Sequence, residues 1–259
     1  MNHELRTINN ELLPAIRVAG RTKKGFSLME VLLAIGILSI GMIFIAGVFP
    51  AAIYMTTFST EQSIAAAAAD EAFAKIKLYV KPSGIDRIPY NGQMLIGAPP
   101  VPLDPNVIVI NQDEFLYPST NAVDRQYYWS AICRRTNPAT SERSVQVTVF
   151  VCRKVGSSLN WQVPVQVGVA QTTKPDEILI VVANPANPVE KTFINDGYTI
   201  VENRLGHIYR VLERYSPPND NVVKLDRKWL GGSGVWVVPP PAGGGRYPCV
   251  AVYQKVIRF

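Results

Sequence analysis

The sequence predicts an α+β protein: a long N-terminal α-helix, half transmembrane and half amphipathic, packed on an antiparallel β-rich globular head. Three observations predict it. The run Val31 to Phe49 is apolar, with one polar residue, Ser39, and no charge. The next stretch, "TTFSTEQSIAAAAADEAFAKIKLYV", is rich in strong helix formers. From Ile85 onward, short β-branched runs alternate with proline, glycine and asparagine clusters. The predicted divisions are residues 1–25, a helix over 26–80 with its transmembrane half at about 29–50, and a head over 81–259.

The segment before the apolar run is basic. Its first 25 residues hold Arg6, Arg17, Arg21, Lys23 and Lys24 against Glu4 and Glu11, which is half of the chain's net charge of +6. The rest of the chain is therefore close to balanced, and nucleic acid is not an expected partner. The run of apolar residues reaches the roughly 20 needed to cross a bilayer as a helix. Lysine and arginine stay on the cytoplasmic side, so the N-terminus is predicted inside and everything after Pro50 outside. A cleaved secretory signal fits less well. Its apolar core is shorter and is followed by a small-x-small site, whereas here the core is followed by "FPAAIYM". A plain single-span anchor would leave both the Lys-Gly-Phe junction and Glu30 unexplained.

The stretch "KKGFSLMEVLLAIGILSIG" resembles the N-terminal segment of type IV prepilins and of the pseudopilins of type II secretion. In that family a basic leader ends in glycine, a Phe-like residue follows the scissile bond, and a glutamate stands fifth in the mature chain. Gly25, Phe26 and Glu30 match those three positions, and Arg21, Lys23 and Lys24 are the leader's basic residues. The resemblance covers roughly 30 residues. It implies that residues 1–25 are a cytoplasmic leader, that a prepilin peptidase cuts between Gly25 and Phe26, and that the freed amine of Phe26 is methylated. The implied partners are that peptidase, other pilin or pseudopilin subunits, an inner-membrane assembly platform and the lipid bilayer. The implied location is the bacterial inner membrane, single-pass, with the head periplasmic or carried into a surface filament.

Each of these positions has a physical reason. Gly25 lets the backbone lie extended in a narrow protease site. Glu30 is an expensive residue beside an apolar run, and an intramembrane acid is a functional hypothesis by default. Its implied partner is the cationic N-terminus of Phe26 on a neighbouring subunit. The alternatives are that Glu30 snorkels to the headgroups or pairs with Phe26 of its own chain. Pro50 removes a helical hydrogen bond and crowds the preceding turn, so a kink is expected there. The position where the family usually carries its helix-disturbing residue is taken here by Gly47.

Past the membrane, Phe58, Ala65, Ala69, Phe73, Ile76 and Tyr79 make one apolar stripe, with Glu61, Asp70, Glu71 and Lys77 mostly off it. The stripe is read as close packing against a sheet. Lys81-Pro82-Ser83-Gly84 ends the helix. The strands expected in the head are "QYYWSAICRR", "RSVQVTVFVCRK", "WQVPVQVGVA", "EILIVVA", "YTIVE", "HIYRVLERY", "GVWVVP" and "CVAVYQKVIRF". A hairpin centred near Ala139 would set Cys133 opposite Val145, with Val147, Val149 and Val151 on the same face and Cys152 on the other. Cys133 and Cys152 could not then bridge. Cys249 could pair with either, but no staple is expected.

Catalytic chemistry is not apparent, and neither an enzyme nor a cofactor or metal is expected. His3 lies in the leader and His207 in an expected strand, read as a surface or edge residue. Asp113-Glu114 and Asp220 with Asp226 lack the spacing of a defined calcium loop and read as solvated surface. Tyr127, Tyr128 and Trp129 read as packing or rim residues. The expected function is a minor pilin or pseudopilin-like structural subunit of a type IV pilus-like filament. Two alternatives stand beside it: a type II secretion or DNA-uptake pseudopilin whose head binds cargo or DNA, and a membrane-anchored ectodomain that does not polymerise.

Overall fold

The computed structural model describes residues 25–97, 101–118, 125–138, 143–155, 161–182, 189–241 and 244–259. Arg21, Lys23 and Lys24, and the expected hairpin centre at Ala139, lie outside the described residues. The chain forms two compact units, Met1–Tyr54 and Met55–Phe259. One helix, α1, spans Leu28–Tyr79, runs through Pro50 without interruption, and is apolar enough over its first half to cross a membrane. Proline cannot donate to the carbonyl one turn back, so the ladder lacks that bond.

Within the second unit, the strands in chain order are β1 (Met94–Ile96), β2 (Leu116–Tyr117), β3 (Tyr127–Arg135), β4 (Ser144–Arg153), β5 (Val165–Gln171), β6 (Glu177–Val181), β7 (Thr199–Glu202), β8 (Ile208–Arg214), β9 (Val222–Leu225), β10 (Gly234–Val237) and β11 (Cys249–Arg258). Two structures share them. The first is an antiparallel sheet ordered β1-β3-β4-β11, with β2 also pairing β3. The second is a closed six-stranded antiparallel barrel, β10-β5-β6-β9-β8-β7. The barrel strands all lie between β4 and β11 in sequence, so the barrel is an insertion into the sheet.

The pleat assigns the sheet's two faces. Odd-numbered residues of β3 and β4, and of β11 from Ala251 onward, face the helix: Tyr253 Oη donates to the Gln62 carbonyl at 3.4 Å and the Lys255 ammonium lies 5.8 Å from the Phe73 ring centre. Even-numbered residues face the other way, where Gln254 Nε2 donates to the Gly206 carbonyl at 2.8 Å and Tyr128 Oη to that of Gln162 at 2.8 Å. One hydrophobic core joins the helix to the sheet through Ala65, Ala68, Ala69, Ala72, Phe73 and Ile76, against Trp129, Val147 and Val149 among others. A separate core fills the barrel, where alternate residues such as Val167, Val169, Ile178, Ile180, Tyr209 and Val211 point inward around Trp229.

Several expectations need correction. The hairpin register is two residues away from the expected one: Cys133 pairs with Val147, and Arg135 with Val145. Thr136 extends the ladder, donating both its N–H (3.0 Å) and its Oγ1 (3.2 Å) to the Ser144 carbonyl. A two-residue shift preserves the face, because side chains alternate with period two, so Cys152 still lies opposite in facing to Cys133. The buried stripe of α1 begins later than Phe58, which is exposed, and includes Glu61, which the pattern set apart. His207 lies one residue before β8, with its ring 6.5 Å from that of Tyr209.

Candidate assembly site on the N-terminal helix

Gly25, Phe26 and Ser27 precede α1 in non-helical conformation, and the Ser27 carbonyl accepts the N–H groups of Glu30 (3.0 Å) and Val31 (3.1 Å) to open the first turn. Ser27 thus stands at the N-cap position with Glu30 three residues on, the spacing of a capping box. A carboxylate here is favoured by the helix dipole, by about 0.3–1 kcal/mol at exposed sites. Among the described residues Glu30 forms no ion pair. Phe26 is 83% exposed. A side chain added at Gly25 would meet nothing within 4 Å, so this chain's fold gives no reason for glycine there.

Every residue from 25 to 60 is exposed, and Glu61 is the first buried position. The exposed residues include Leu28, Met29, Leu32, Ile37, Phe44 and Phe49 on the apolar first half, then Ile53, Tyr54, Met55 and Phe58 beyond it. Ser39 Oγ donates to the Ile35 carbonyl at 2.7 Å, one turn back, so the run's one hydroxyl is satisfied inside the helix.

Where the helix meets the head, a charged cluster replaces the apolar contact. Glu61 keeps only 8% of its surface exposed. Arg246 clamps it through two parallel bonds of 2.7 and 2.8 Å, and Arg153 Nη1 donates at 2.5 Å. The fork geometry of guanidinium on carboxylate gives direction as well as energy. This cluster was missed from sequence, although a signal existed: Glu61 lies four residues before Ala65 and seven before Ala68, on the helix's buried face.

The other sequence candidates are not brought together. Asp113 pairs with Arg125 at 3.2 Å, and Glu114 with Lys75 at 2.7 Å. Asp220 pairs with Lys191 at 3.0 Å and Asp226 with Arg227 at 3.0 Å. These carboxylates are matched by cations rather than arranged to bind one. Among the described residues there is no group of three or more His, Cys, Asp or Glu able to hold a metal. Tyr128 and Trp129 are buried, and Tyr127 is half-buried.

Residues 20–46 match the prokaryotic N-terminal methylation motif. The methylation motif takes in Gly25, Phe26, Glu30 and most of the apolar run, about a tenth of the chain. It is consistent with the resemblance to type IV pilins and pseudopilins, and says nothing of the head. No curated protein and no solved structure matches the chain.

Proposed function

We propose that this chain is a minor pilin-like structural subunit, cut between Gly25 and Phe26, methylated at Phe26, and assembled through α1 into a type IV pilus-like filament. The observation that carries the reading is the extent of exposed apolar helix. Val31 to Phe49 spans roughly 28 Å at 1.5 Å per residue, which matches the roughly 30 Å hydrocarbon core. The apolar surface nevertheless continues through Ile53, Tyr54, Met55 and Phe58. A bilayer that covers the first stretch leaves this second one in water, and a large exposed apolar patch marks an interaction surface. Neighbouring helices of the same kind are the cover that the methylation motif suggests.

Cleavage would leave a positive amine at Phe26, four residues from Glu30. On a neighbouring subunit that amine is the natural mate for the carboxylate, because in a low dielectric an unpaired acid is far costlier than a matched pair. Gly36, Gly41 and Gly47 each weaken the helix by around 1 kcal/mol relative to alanine, yet a side chain at any of them would meet nothing within 4 Å. That cost is offset if another helix approaches closely there. Pro50 supplies the kink proposed for fitting the helix into such a bundle.

The test is the mass of the mature protein purified from its host, together with the fate of Glu30→Ala. The expected wild-type mass is that of a chain starting at a methylated Phe26. The expected mutant is inserted and processed normally but missing from sheared filaments. A chain still starting at Met1 overturns the processing step. Glu30→Ala protein entering filaments at the wild-type level overturns the assembly role of Glu30, whereas wild-type protein absent from filaments favours the non-polymerising membrane anchor.

A further inference from the structure

We infer that Cys152 and Cys249 form an intrachain disulfide in the mature protein, stapling together the two ends of the segment that carries the barrel. The register sets the two residues directly opposite each other on β4 and β11. The Arg153 N–H donates to the Pro248 carbonyl at 2.8 Å, which makes 153 and 248 the hydrogen-bonded pair and leaves 152 and 249 as the neighbouring non-hydrogen-bonded pair. Side chains approach most closely at such positions, with Cα atoms about 4.5 Å apart, inside the roughly 4.4–6.8 Å range that disulfides span.

A bulge makes this possible. Over most of the ladder the register runs as Ala251 with Val151 and Val252 with Phe150, and continuing it would set Val250 opposite Cys152. The shift between Cys249 and Ala251 inserts one extra residue and brings Cys249 to Cys152 instead. All three thiols are buried and unbonded to one another. Burial pushes the Cys152 thiol well above its ordinary range, and the Cys249 thiol donates to the Ala251 carbonyl at 3.8 Å. Cys133 is excluded: it lies on the helix-facing side of the sheet, and burial pushes its thiol up to about 12.

The bond would close a loop containing all six barrel strands, Val165 to Val237, and fasten the edge strand β11 to the sheet. Its formation removes one hydrogen from each thiol. Two electrons and the two protons pass to an external disulfide of the thiol-oxidase class, which leaves as a dithiol. Cys249, with 8% of its surface exposed against none for Cys152, is the sulfur such an oxidant reaches first. The inference rests on the reading that the head faces an oxidising compartment outside the cytoplasm.

Peptide mapping of the full-length protein from its host, alkylated before reduction, tests it. The expected result is a linked pair of peptides bearing Cys152 and Cys249, a mass about 2 Da below that of the three-thiol chain, and alkylation at Cys133 alone. The same map reads the N-terminus. Alkylation of all three cysteines in a chain that starts at Phe26 overturns the disulfide and leaves the proposed function intact. A chain starting at Met1 overturns the processing step, and the purified protein is then incubated with oxidised glutathione. Selective joining of Cys152 to Cys249 upholds the pairing, whereas no bond, or one that includes Cys133, overturns it. Cys133→Ser should keep the linked peptides and Cys249→Ser should abolish them.

Discussion

Glu61 is held by two arginines at a point where the rest of the buried helix face is alanine, phenylalanine and isoleucine. Removing one partner of a buried ion pair costs more than the pair contributes, since the surviving charge stays desolvated. Glu61→Gln keeps the shape and removes the charge, leaving Arg153 and Arg246 facing each other across a neutral amide. Arg246 is half exposed, so water relieves part of that penalty. We expect a loss of about 2 kcal/mol, below the roughly 3–5 kcal/mol of a fully buried broken pair, read as a lower melting temperature of the head in thermal circular dichroism. An unchanged melting point would show that the cluster is decorative. Glu30 is the contrasting acid. It is exposed in this chain, so its substitution should leave the melt untouched and act only on assembly.

The barrel has its own core and its own ion pairs, and these give it its own response to acid. The Lys174 ammonium at 2.7 Å, then the Tyr215 hydroxyl at 2.7 Å, hold the Glu177 carboxyl below its ordinary value. Lys191 at 3.0 Å does the same for Asp220. A lowered pKa in the folded state means that the unfolded chain takes up these protons first as pH falls. The stabilisation is therefore complete above the ordinary carboxylate range, near 4, and is lost as pH drops through the lower folded values. Near-UV circular dichroism of Trp229, buried in the barrel core, should show a falling melting temperature between about pH 5 and 3. A flat profile over that interval would mean that these contacts add nothing to the barrel.

The buried residues of α1 all lie between Glu61 and Ile76, within the unit Met55–Phe259. Everything that the head buries is thus contained in that unit, while residues 25–54 bury nothing. A chain beginning at Met55 should fold as a soluble monomer with the cooperative melt of the full-length head. Size-exclusion chromatography with light scattering, followed by a thermal scan, checks this. Aggregation of the shortened chain would place part of the head's stability in the missing helix.

The helix, the membrane-length run and most strands could be read from the sequence, because each reports a local period: 3.6 residues for the alanine stripe, two for runs such as "SVQVTVFV". The methylation motif over residues 20–46 was equally readable, being a short contiguous pattern. The strands that escaped were β1, β2 and β9, two to four residues long and each set directly beside proline, glycine or asparagine. Only the tertiary structure decided that six of the strands close into a barrel inside the sheet, that Arg153 and Arg246 converge on Glu61, and that Cys249 meets Cys152. Those outcomes depend on which distant segments pair and in what register. A single bulged residue at Val250 changes which side chain opposes Cys152, and no local periodicity encodes such a shift.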